Sequence, residues 1–178
     1  MEPEFARRFD SARKTLALTT ADRQLYDSQE GTDLVLRTVE DIFTDLQNDL
    51  QPYREDLGFL VFRDDDVASI DVRGPDNLIV YLEYQREREF TLGKNRLKIL
   101  VGYAFGGFNP SSIGEPGRRN SDELFREDLI PIFDEERQVL WTDRKTQKSS
   151  KLIVDLVIEH YLKGIEKYVD RIAGENLN

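Results

Sequence analysis

Two strand patterns, LIVYLEY and LKILVGYAF, lie within residues 77–108, joined by a polar connection. β-Branched and aromatic side chains suit a pleated, half-buried surface, and no other segment carries so many in so short a span. The chain must therefore be organised around these strands as the centre of a sheet. In the second strand Leu97, Ile99, Val101, Tyr103 and Phe105 alternate onto one face. Lys98, Leu100, Gly102 and Ala104 take the other, where small residues would let a helix or a second backbone approach closely.

The flanking segments supply the partners. Residues 58–72 read as a hairpin, with an acidic run, Asp64-Asp65-Asp66, near its turn. The turn residues Gly74-Pro75-Asp76-Asn77 then deliver LIVYLEYQ as an antiparallel neighbour. Upstream, Leu34, Val35, Val39, Ile42, Phe43, Leu46 and Leu50 form a helical stripe, capped by Thr32 or Asp33 and stopped near Pro52. Downstream, Asn120 with Glu123 predicts a capped short helix over 121–130, limited by Pro131. QVLWT reads as a last strand, and 149–172 as a long C-terminal helix. Grouped strands flanked by helices predict an α+β fold: an antiparallel or mixed sheet of about five strands, with N-terminal helices and a long C-terminal helix packed against it. Strand and helix do not alternate, which argues against a doubly wound fold.

Phe5, Phe9, Ala12 and Leu16 fall on one helical face of residues 3–18, with Arg7, Arg8, Arg13 and Lys14 off it. This locally basic segment reads either as an arm or dimer contact or as a helix packed on its own domain. The expected organisation is an N-terminal helical arm and linker over 1–31 and a single α+β domain over 32–173.

Composition excludes several kinds of chemistry. With no cysteine there is no disulfide, thiolate site or cysteine nucleophile, and a single histidine rules out a multi-histidine metal centre. A net charge of −10 repels phosphate backbones, so nucleic acid is not an expected partner. No run of apolar residues is long enough to span a membrane, and MEPEFARRFD lacks the apolar core of a secretory signal, so a cytoplasmic protein is expected. An acid excess with eight lysines against seventeen arginines fits either an ordinary acidic surface or a high-salt cytoplasm.

The sharpest candidate for chemistry is acidic. With the turn at 73–76, counting back along the hairpin sets Asp66 opposite Glu83, and Gln85 projects from the same strand face as Glu83. Two carboxylates and a polar neighbour could hold Mg2+ or Mn2+ and activate water for phosphodiester hydrolysis. This arrangement resembles the Asp…Glu-x-Lys core of the restriction-endonuclease-like superfamily over roughly residues 34–85. The resemblance implies a metal-dependent nuclease, possibly degenerate, because Gln85 stands where that family has lysine and no helix follows directly. The alternative for the same residues is a solvated acidic turn with Glu83 paired to an arginine such as Arg63 or Arg86.

Other candidates are single features. Arg118 and Arg119, ahead of the expected helix at 121, could bind an anion. His160 reads as a packing residue, and no serine has a nearby histidine as base. Tyr81, Tyr103, Phe105 and Phe108 would form a contact surface if one sheet face were uncovered. The first expectation is therefore a protein-binding domain, adaptor or chaperone-like, without catalysis or cofactor, acting on a protein partner or on itself as a homodimer. The alternative is the metal-dependent nuclease.

Overall fold

In the computed structural model, which describes residues 8, 11–13, 23–65, 68–86, 95–104 and 123–175, the first long helix, α1 (Gln29–Leu50), begins at Ser28. Ser28 is extended, and its hydroxyl oxygen accepts from the Gly31 N–H at 3.0 Å. The helix thus starts ahead of the expected caps, Thr32 and Asp33. Leu25 is buried in the same core, and the Tyr26 hydroxyl donates to the Pro131 carbonyl at 3.1 Å. Residues just upstream of the helix thus touch the core and β5. Pro52 lies in a 3-10 turn, Gln51–Tyr53, that ends α1; a short helix α2 (Arg54–Leu57) follows, closed by Gly58 at φ +64.

Among the described residues the chain beyond α2 makes seven strands. These are β1 (Leu60–Asp64), β2 (Ser69–Arg73), β3 (Leu78–Gln85), β4 (Arg96–Tyr103), β5 (Glu123–Phe133), β6 (Val139–Thr142) and β7 (Gln147–Lys148). They pair in chain order as one antiparallel meander, and α3 (Ser150–Glu175) closes the fold. The α+β expectation stands, with seven strands rather than about five.

Two differences account for the count. The segment expected as a helix over 121–130 lies largely in β5. It also fits strand alternation: Phe125, Glu127 and Leu129 pair with Val101, Ile99 and Leu97 on the core side. An unsatisfied edge of β4 offers this segment a full ladder, which outweighs a local capping signal. Pro131 sits in the half of β5 that pairs with β6, opposite Trp141. The second difference is β7, two polar residues without apolar periodicity.

Both long helices lie on one sheet face and pack on each other. Val35, Ile42 and Leu46 of α1 meet Val80, Leu82, Ile99 and Trp141 of the sheet and Val157 of α3, all fully buried or nearly so. The helix approaches the sheet at two glycines. A Cβ at Gly164 would lie 2.6 Å from Leu78 Cδ1 and 2.9 Å from Leu124 Cδ1. A Cβ at Gly74 would clash with the Tyr161 hydroxyl. That hydroxyl is buried and has no hydrogen-bond partner among the described residues. On the sheet face away from the helices, Ile79, Tyr81 and Leu100 form a separate buried cluster with Ala104 against it. Among the described residues no helix is long and apolar enough to cross a membrane.

Gly74→Ala should cost about 1–3 kcal/mol by overpacking against the rigid Tyr161 ring. Tyr161→Phe, which deletes the oxygen that the new methyl meets, should recover part of the loss. A double-mutant cycle by urea denaturation checks this; additive effects would place the clash elsewhere.

Candidate functional site

Tyr81, Glu83 and Gln85 alternate onto the sheet face away from the helices, as the sequence spacing requires. The Gln85 side-chain amide donates to Glu83 Oε1 at 3.1 Å, and the Tyr81 hydroxyl donates to Glu83 Oε2 at 3.3 Å. Each Glu83 oxygen thus accepts from a neighbour on its own strand. Across β2 the residue opposite Glu83 is Ser69, three positions from the expected Asp66. The register differs because the β2–β3 connection is longer than a tight turn. Gly74 donates its N–H to the Leu78 carbonyl at 2.7 Å around a 3-10 turn, Pro75–Asn77, with Asp76 and Asn77 left-handed at φ 55 and 59. Asp66 lies outside the described residues.

On the other flank Lys98 of β4 stands in register with Glu83. Strand pairing thus sets a lysine from β4 beside Glu83, a neighbour that spacing along β3 does not reveal. Asp71, opposite Tyr81, accepts from Arg73 Nε at 2.8 Å through Oδ2, while its Oδ1 is buried with no partner among the described residues. Among the described residues no three His, Cys, Asp or Glu side chains group in a way that could hold a metal ion.

The other predicted residues separate. Tyr103 lies in the helix-side core, where its hydroxyl donates to the Gly164 carbonyl. Tyr81 is buried on the opposite face. Phe105, Phe108, Arg118 and Arg119 lie outside the described residues. His160 stacks flat on Phe125, with ring centroids 4.4 Å apart.

A surface that the sequence reading did not single out lies on the helical side. The end of α1, the 3-10 turn, α2 and α3 enclose a groove of about 470 Å³. Leu50, Tyr53, Leu57, Leu162 and Ile165 line it, with Asp49 as its carboxylate. Tyr53 is 56% exposed and Leu162 47% exposed. The stripe continues along α3: Ile158, Leu162, Ile165, Val169 and Ile172 are spaced four, three, four and three apart, the repeat of a helix-packing seam. Val169 is 55% exposed and Ile172 37% exposed. Spacing alone sets Ile165, Val169 and Ile172 on one apolar side; only the fold tells that this end of the side is uncovered among the described residues. The Lys163 ammonium is held by Glu159 at 2.6 Å.

Tyr81 and Tyr161 are both pushed up to about 12, Tyr81 by burial and then by the Glu83 charge, Tyr161 by burial alone. A raised phenol pKa means that the folded state holds its proton more tightly than the unfolded chain does. The associated stability is complete below about pH 10 and is lost as pH rises through about 12. Denaturation midpoints should fall across this window, and Tyr161→Phe should lessen the fall; an unchanged alkaline profile would show that Tyr161 does not carry it. Comparisons of the chain with family models, with curated proteins and with solved structures found no match.

Proposed function

We propose that this chain is a protein-interaction domain without catalysis of its own, which self-associates through the groove between α1–α2 and α3. The observation that carries the reading is the apolar stripe on α3, which runs out of the groove with Leu162, Val169 and Ile172 uncovered among the described residues. Apolar side chains repeated at helix-packing spacing gain most when a second helix covers them, about 1 kcal/mol or more per half-exposed residue. Nothing in the groove points to a reaction: its lining is apolar apart from Asp49 and the Tyr53 hydroxyl. A cytoplasmic setting and an adaptor or chaperone-like role belong to the same proposal and rest on composition.

Sedimentation velocity tests it. The chain should show a concentration-dependent dimer, and Leu162→Asp should shift it to monomer without lowering the thermal midpoint, because Leu162 is already half exposed. A strict monomer, or a dimer indifferent to Leu162→Asp, would overturn the reading. Calorimetry settles the nuclease alternative: Mg2+ or Mn2+ binding that vanishes in Glu83→Ala would favour it.

A further inference from the structure

Resting on that reading, we infer that the occupant of the groove is the basic N-terminal segment, residues 3–18, of a second copy of the chain. The first argument is charge. The groove holds Asp49 as its one charged lining residue; of the charged residues next to its lining in sequence, Lys163 is paired with Glu159, which leaves Asp56 and Glu166 against Arg54, and the last turn of α1 carries no basic residue. A helix C-terminus adds partial negative charge. Residues 3–18 are the complement: Arg7, Arg8, Arg13 and Lys14 against Glu4 and Asp10, in a chain of net charge −10.

The second argument is shape. An amphipathic helix lies in an apolar groove through anchors at helical spacing. Phe5, Phe9, Ala12 and Leu16 are spaced four, three and four apart, the same rhythm as the α3 stripe. The third argument concerns whose segment it is. Arg8, Ser11, Ala12 and Arg13 are helical here, and all four are exposed, including Ala12 on the apolar face. Within one copy that face is not buried at Ala12, whereas a second copy offers a groove for it. A pair of chains exchanging these segments would have two identical contacts related by a two-fold axis. The opposing possibility, α3 against the partner's α3, would bring Glu159 and Glu166 of each copy together along the seam, a like-charge arrangement that weakens it.

The test uses the full chain and two substitutions, Phe9→Asp in the segment and Leu162→Asp in the groove. Each alone should weaken dimerisation by about a hundredfold, as loss of a central apolar anchor does. Mixed together, the two variants should form a heterodimer, because one supplies an intact groove and the other an intact segment. Raising the salt should weaken the association, since part of it is charge pairing. A dimer that survives Phe9→Asp but is lost in Leu162→Asp would overturn the segment as occupant while leaving the groove as the interface. Two variants that each become monomeric but do not associate on mixing would also overturn it. A chain whose association ignores Leu162→Asp would overturn both readings together.

Discussion

The structure depends on how closely α3 lies against the middle of the sheet. At Gly164 the helix backbone comes within side-chain distance of Leu78 and Leu124, and the Gly164 carbonyl accepts from Tyr103 of β4. One turn earlier Tyr161 reaches Gly74 at the head of β3. These contacts tie α3 to strands formed some 40 to 90 residues before it. They hold β3 and β4, the strands richest in apolar residues, under cover. The Arg171–Asp76 ion pair continues the same attachment beyond the sheet. Replacing glycine by alanine normally favours a helix by about 1 kcal/mol, so a glycine at 164 is retained against local preference for the sake of this approach.

A helix so close to the sheet cannot be covered all round by it. Its inner side is used up by Ile153, Val154, Val157 and Tyr161. The stripe of Ile158, Leu162, Ile165, Val169 and Ile172 turns partly away from the sheet, toward the end of α1. Where α1 stops, at the turn formed by Pro52, the cover stops as well and a groove remains. The candidate interface is thus a by-product of two local events: a proline that ends one helix and a glycine that sets the height of another.

The sheet's second face follows a different logic. Its centre is a small apolar cluster, and around it charged and polar groups pair along each strand. Glu83 takes bonds from Tyr81 and Gln85, and Asp71 takes bonds from Arg73, which also lies over the Phe62 ring. Burial of Tyr81 beside a carboxylate explains why its phenol resists ionisation.

The amino-acid order alone determined the two central strands, the long helices, the antiparallel α+β class and the alternation that sets Glu83 and Gln85 side by side. Those features follow from periods of two and of about four, which are local. It determined part of the apolar side of α3 as well, Ile153, Val157, Ile165, Val169 and Ile172, because their spacing is visible in one segment. Only the tertiary structure decided what lay beyond that. It turned residues around 123–130 into a strand, because β4 had an edge to pair. It moved the β2–β3 register, because Asp76 and Asn77 adopt left-handed angles that lengthen the connection. And it left Leu162, Val169 and Ile172 uncovered among the described residues, since which part of an apolar stripe meets a neighbour depends on where distant segments end.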